Sequence, residues 1–89
     1  MTVEINADDI RTGFPRSICN CPIGRALRRS GATVVRVHNK HCTFYYKGRY
    51  VYATLSDDAK RFSRAHGDGR PVKPTTITLI IEGASNAQS

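Results

Sequence analysis

Cys42-Thr43-Phe44-Tyr45-Tyr46-Lys47-Gly48-Arg49-Tyr50-Val51-Tyr52-Ala53-Thr54-Leu55 is the stretch on which the fold turns. Two runs rich in aromatic and β-branched residues flank Lys47-Gly48, a two-residue connection suited to a tight hairpin. That turn fixes a register. Tyr46 opposes Arg49, Tyr45 opposes Tyr50, Phe44 opposes Val51, Thr43 opposes Tyr52 and Cys42 opposes Ala53. Side chains alternate along a strand, so Cys42, Phe44, Val51, Ala53 and Leu55 share the face suited to a core. Thr43, Tyr45, Tyr50, Tyr52 and Thr54 share the other.

Working outward toward the N-terminus, Thr33-Val34-Val35-Arg36-Val37-His38 is β-branched and extended, with Thr33, Val35 and Val37 on one face and Val34, Arg36 and His38 on the other. Before it, Cys21 to Gly31 reads as a short helix. Pro22 suits the first helical position, Asn20 or Cys21 stands at the cap, and Gly31 supplies the stop. Ile23, Ala26 and Leu27 form its inward stripe, and Arg25, Arg28 and Arg29 form a second stripe turned away. Val3 and Ile5 alternate with polar residues in a first strand. Asp8, Asp9 and Ile10 make one helical turn capped near Asn6, and Phe14 and Ile18 pin the following loop to the core.

On the C-terminal side, Ser56-Asp57-Asp58 is a helix start with Ser56 as cap, Asp57 placed to pair with Arg61, and Ala59 and Phe62 facing inward. Gly67-Asp68-Gly69 ends that helix. Thr75 to Ile81 reads as a strand with Ile77, Leu79 and Ile81 on its core face. The expected architecture is α+β: a single domain over residues 1–82, with a mostly antiparallel sheet of four to five strands and two or three short helices. The element order is β-α-α-β-β-β-α-β, and residues 83–89 form a flexible tail.

A chain of 89 residues buries only about 60–65% of its unfolded surface, so the core must be small. A hydrophobic fraction of 39% with 24% charged residues argues against wholesale disorder. No apolar run is long enough to span a bilayer, and the N-terminus lacks the basic and apolar regions of a signal peptide, so the expected location is cytoplasmic. Three cysteines, an odd number, make a poor disulfide framework.

Net charge is +7, and its distribution is more informative than its sum. Nine Lys and Arg and no Asp or Glu fall between Ile10 and Ser56. That asymmetry favours a polyanionic partner, meaning nucleic acid, an acidic protein surface or an anionic membrane face; the alternative is that it serves general solubility.

Asp9-Ile10-x-x-Gly13, Cys21-Pro22-Ile23-x-x-Ala26-Leu27, Val35-x-Val37, Leu55-x-x-x-Ala59-x-x-Phe62 and Gly69-x-Pro71-Val72-x-Pro74, in that order, resemble a group of small uncharacterised proteins of tailed bacteriophages and prophages. The similarity runs from about position 3 to 81. It implies a phage origin, an infected bacterial host and a compact α+β fold, and it brings no activity and no functional residues. In that group Ala commonly follows the Cys-Pro-Ile triplet. Gly24 stands there in this chain, a change that weakens an isolated helix turn by about 1 kcal/mol.

Tyr45, Tyr50 and Tyr52 beside Arg36, Lys47 and Arg49 would form a sheet surface on which unpaired bases stack while cations hold phosphates. The alternative is a set of cross-strand tyrosines that stabilise the hairpin or lie beneath a helix. No RNP-like motif accompanies them. Arg25, Arg28 and Arg29 could lie along a phosphate backbone or dock on an acidic protein. Cys19, Cys21, His38, His41 and Cys42 have zinc-ligand chemistry at poor spacing, and no metal or other cofactor is expected. Cys21 at a helix start could be a reactive thiolate, but no base is assigned to it and no catalytic role is expected. The expected function is therefore a non-enzymatic accessory protein. Its basic surface (Arg25, Arg28, Arg29, Arg36, Lys47 and Arg49, with the three tyrosines) would bind nucleic acid or, alternatively, inhibit a host nuclease or defence protein at an acidic site.

Overall fold

In the computed structural model, which describes residues 1–86, Lys47 and Gly48 both adopt positive φ, 51° and 78°. This is type I′ turn geometry, whose twist matches that of the strands it joins. The turn sets β3 (His41–Tyr46) against β4 (Arg49–Leu55) with Tyr46 opposite Arg49 and Cys42 opposite Ala53, the register read from the sequence. The remaining elements are β1 (Thr2–Ile5), α1 (Ala7–Thr12), α2 (Pro22–Arg29), β2 (Thr33–Val37), α3 (Asp57–Gly67) and β5 (Thr75–Asn86). Together the strands make an antiparallel five-stranded sheet in the order β1-β5-β4-β3-β2.

The core lies on one face of this sheet. Val3 and Ile5, Val35 and Val37, Cys42 and Phe44, Val51, Ala53 and Leu55, and Ile77 and Leu79 are buried there against Ile23, Ala26 and Leu27 of α2 and Ala59 and Phe62 of α3. The opposite face carries no helix. None of its residues on β3 and β4, from His41 to Thr54, is fully buried.

The α2 helix is delimited as its sequence predicts. Cys21 is the N-cap, its Sγ accepting from the Gly24 N–H at 3.4 Å, and Pro22 occupies the first turn. At the other end Gly31 takes φ 106°. Its N–H donates to the Arg28 carbonyl at 3.0 Å and that of Ala32 donates to Leu27 at 3.0 Å, the paired bonds of a Schellman motif. The α1 helix begins in a capping box: the Asp9 N–H donates to Asn6 Oδ1 at 2.8 Å and the Asn6 N–H donates to Asp9 Oδ2 at 3.1 Å.

Five local expectations are corrected. Val34 takes φ 49° within a bulge, and the extra residue turns Thr33 to the open face opposite Tyr45 instead of placing it with Val35 and Val37. Phe14 and Ile18 are exposed and do not pin their loop. Hydrogen bonds hold it instead, from Val37 N–H to the Ile18 carbonyl at 2.8 Å and from Phe14 N–H to the Asn20 carbonyl at 2.8 Å. Ser56 makes no side-chain cap; its hydroxyl bonds to Asp58, whose carboxylate accepts the Ala59 N–H at 2.8 Å. Asp57 pairs with Lys60 at 3.6 Å rather than with Arg61.

The fifth concerns the C-terminus. β5 does not stop at Ile81: a bulge between the pairs Ala53–Ile81 and Tyr52–Gly83 restores pairing, and Gly83 to Asn86 continue along β4 to Arg49. The part of the expected tail over 83–86 is thus strand, and residues 87–89 lie outside the described residues. Ile81 is 44% exposed. It sits past the last β1 pair, Thr2 with Thr78, where no strand flanks β5 on that side.

Gly24 is required by packing. A Cβ at this position would lie 2.9 Å from the Cys19 carbonyl oxygen, a backbone atom with little freedom to retreat. Gly24→Ala is therefore expected to lower unfolding stability by about 1–3 kcal/mol, as overpacking does. Helix propensity acting alone would raise stability by about 1 kcal/mol, so the sign read from urea denaturation decides which effect governs.

Candidate nucleic-acid interface

On the open face the strand register assembles two rows across the sheet. One runs Arg36, Thr43, Tyr52, Gly83; the next runs Thr33, Tyr45, Tyr50, Ser85. Directly opposed residues of an antiparallel pair share a face, so each row projects to the same side. Tyr50 and Tyr52 are 39% and 42% exposed. They remain uncovered because β5 contributes only a glycine and a serine beside them, and a Cβ at Gly83 would meet nothing within 4 Å.

The aromatic rings contact one another. Tyr45 and Tyr50 meet edge to face at 5.2 Å between centroids. Tyr52 stacks on His41 at 5.2 Å, and His41 stacks in turn on His38 at 4.6 Å. The sequence pattern did not single out His41, Thr33, Gly83 or Ser85 as parts of this surface. Gly83 and Ser85 depend on the β5 bulge and Thr33 on the β2 bulge; His41 follows from strand alternation and was legible there.

The predicted cations divide into two groups. Arg36 stands at the end of one tyrosine row, and Lys47 and Arg49 flank the hairpin turn, with Lys47 Nζ 5.3 Å from the Tyr46 ring centre. None of these three has an acidic partner among the described residues. Arg25, Arg28 and Arg29 belong to α2, on the helix side of the sheet, and cannot share a surface with the tyrosines. Two of them are committed to holding the fold. Arg28 donates to the Cys19 carbonyl and, at 2.8 Å, to Asn20 Oδ1. Arg29 donates to the Glu4 carbonyl at 2.7 Å and to Asp9 Oδ2 at 2.9 Å. That bond to Asp9 raises the Arg29 pKa further. Arg25 Nε is enclosed with no hydrogen-bond partner among the described residues.

The acid-free segment is therefore not uncompensated in space. Asp9 reaches Arg29, Asp68 reaches Arg16 at 3.4 Å, and Asp8 reaches Arg11. On β2, β4 and the hairpin turn, the cations without an acidic partner among the described residues are Arg36, Lys47 and Arg49.

Strand alternation also separates the metal-ligand residue types. His41 faces the open side and Cys42 the core, and among the described residues no group of three His, Cys, Asp or Glu side chains is placed to hold a metal ion. Comparisons of the chain with protein-family models, curated proteins and solved structures give no match. No helix among the described residues is long and apolar enough to cross a membrane.

The buried thiols are held neutral. Burial pushes the Cys21 thiol up, against weaker opposition from the amides of its own helix start and from Arg28. Burial, with a smaller contribution from Cys21, lifts Cys42 from 9.0 to about 11. A raised pKa in the folded state leaves the thiol's contribution to stability complete below pH 9 and removes it as pH climbs toward about 11. Native protein at pH about 8, near the ordinary thiol pKa, is expected to alkylate at the exposed Cys19 and to yield all three thiols only when unfolded. Between pH 9 and about 11, the fall of stability with pH should be shallower in Cys42→Ala than in the parent protein; an unchanged slope would contradict the assignment.

Proposed function

We propose that this protein binds single-stranded nucleic acid on the open face of its sheet, acting by binding and not by catalysis. The phage-like order of its motifs is the ground for placing that role in an infected bacterial host, as an accessory protein. The observation that carries the reading is the uncovered pair of rows in which Tyr45, Tyr50 and Tyr52 lie beside Arg36, with Lys47 and Arg49 at the hairpin end. A cross-strand tyrosine pair needs no open flank to stabilise a hairpin. Here the flanking strand offers Gly83 and Ser85, beside which Tyr50 and Tyr52 stay exposed.

Unpaired bases present π-faces that stack on such rings, at about 1–3 kcal/mol per base, and the cations meet the phosphates. Duplex bases are already stacked, so a single strand is the better ligand. Arg28 and Arg29 are excluded from the binding role because their guanidinium groups already satisfy backbone and side-chain acceptors.

Anisotropy titration with an oligothymidine should show affinity falling log-linearly with salt. With three contributing cations the slope is about −2, the single-strand value being roughly −0.7 per phosphate neutralised. Tyr50→Ala with Tyr52→Ala should weaken binding at least about thirtyfold, the lower end of two lost stacking contacts, while the fold, followed by far-ultraviolet circular dichroism, persists. Absence of single-strand binding at low salt would overturn the reading. If a single acidic protein were then captured from nuclease-treated host lysate, the inhibitor alternative would take its place.

A further inference from the structure

We propose that the cleft between α3, the β2–β3 turn and the loop leading into α2 binds a phosphate monoester that carries a planar ring. The ligand would be a nucleoside monophosphate unit, either free or as the phosphorylated end of a strand. The strand-end form rests on the function proposed above; the free-nucleotide form stands without it.

The cleft measures about 1010 Å³, at the upper end of the range of about 300–1,000 Å³ usual for small-molecule sites. Its floor is apolar, from Ile23, Val37 and Phe62, and its rim is basic, from Arg16, Lys40, Lys60 and Arg64. All three histidines of the chain line it. Asp68 is the one carboxylate among its lining residues, and it is already engaged by Arg16 at 3.4 Å and Arg70 at 3.5 Å. Lys40 and Arg64 have no acidic partner among the described residues, and the Lys60 contact with Asp57 is an exposed pair of the kind that contributes little.

A helix C-terminus beside an anion site would normally repel the ligand. At α3 that repulsion is quenched, because the carbonyls of Arg64, Ala65, His66 and Gly67 all accept hydrogen bonds, the last from Arg16 Nε at 3.1 Å. The first turn of α2, through Cys21 and Pro22, forms another part of the wall and adds the positive end of its peptide dipoles. The cleft thus presents cations and no unpaired carboxylate.

Its aromatic content distinguishes a nucleotide from a simple acidic peptide. Phe62 and His66 lie parallel within 3° at 6.5 Å, and His38 stacks at 4.6 Å on His41, whose other face is taken by Tyr52, so His38 and His66 are the lining rings offered to a ligand. His41, which lines the cleft, also stacks on Tyr52 of the open face, so a strand lying on that face would bring its end toward the cleft rim.

The test is titration of the full chain with adenosine 5′-monophosphate, followed by NMR of the histidine ring protons, with inorganic phosphate as competitor. Saturable shifts of His38, His41 and His66 are expected. Lys40→Glu with Arg64→Glu, both surface changes, should weaken binding about tenfold or more, as expected when charge-assisted contacts are lost. Tyr50→Ala, at a ring whose aromatic contact is Tyr45 and not a cleft residue, should leave mononucleotide binding within about twofold, less than one stacking contact. An oligothymidine with a terminal phosphate that binds about tenfold tighter than its hydroxyl-ended or circular form identifies the strand end as the source. Saturation by the mononucleotide without that preference identifies the free nucleotide. The proposal is overturned if neither saturation below about 10 mM nor a terminal-phosphate preference is seen, or if the charge reversals leave the affinity unchanged. Loss of hydroxyl-ended strand binding alone, with mononucleotide binding intact, sinks the strand-face reading and not this one.

Discussion

A sheet of five strands in a chain of 89 residues leaves enough sequence for three short helices, and those helices can cover one face only. The cover is divided even there. With Ile23, Ala26 and Leu27 buried, α2 packs on β1 and β2, the two edge strands, while α3, with Ala59 and Phe62, packs on β4 and β5. Everything else follows from this constraint. The second face must be tolerated bare, so it has to carry residues that are stable in water yet hold strand conformation, and tyrosine and threonine meet both demands. A bare aromatic face is thus a structural consequence first. Its functional interest begins where the flank is kept open by Gly83 and Ser85 beside the rings.

Electrostatics divides along the same plane. On the helix side, Asp9 is only 5% exposed, and it accepts from the Asn6 N–H and from Arg29 while capping α1. A buried carboxylate of this kind is tolerable only when its oxygens are satisfied. Arg29 also bonds the Glu4 carbonyl, so one guanidinium ties α2 to β1 and to α1 together. Arg28 does the equivalent for the loop before α2. Arginine suits this work because its fork of donors can serve several acceptors at once. On the strand side Arg36, Lys47 and Arg49 have no acidic partner among the described residues, and the Glu82 carboxylate there accepts from the Thr54 hydroxyl at 2.9 Å.

How much of this could be read from the chain depends on how local the determinants are. Pro22 and Gly31 delimit α2 through backbone preferences of single residues, and Lys47-Gly48 fixes the β3–β4 register through two φ angles, so both were legible. The β2 bulge at Val34 was not, because a β-branched residue at φ 49° runs against its own preference and is held there by the pairing on either side. The extension of β5 past Ile81 was hidden for a related reason: Gly83-Ala84-Ser85 has no strand signature of its own and is recruited by the edge of β4. The arginine stripe of α2 was legible as a stripe. Its partners were not, since Asp9 and Glu4 lie outside the acid-free segment and only the tertiary fold brings them to Arg29.

The same distinction between local and assembled features bears on the two surfaces for which binding is proposed. Tyrosine positions on the hairpin are local and follow from alternation, whereas the cleft is assembled from α3, the β2–β3 turn and the pre-α2 loop, with no motif in any one of them. His41 belongs to both: its position on β3 turns it to the open face, and its place at the first residue of that strand puts it on the rim of the cleft. Stacked between His38 and Tyr52, it makes the aromatic surface continuous from one to the other. A ligand with repeating rings and phosphates would use both regions, and a ligand with one ring and one phosphate would need only the cleft. The chemistry of the two surfaces is therefore the same, and the number of repeating units in the ligand is what separates them.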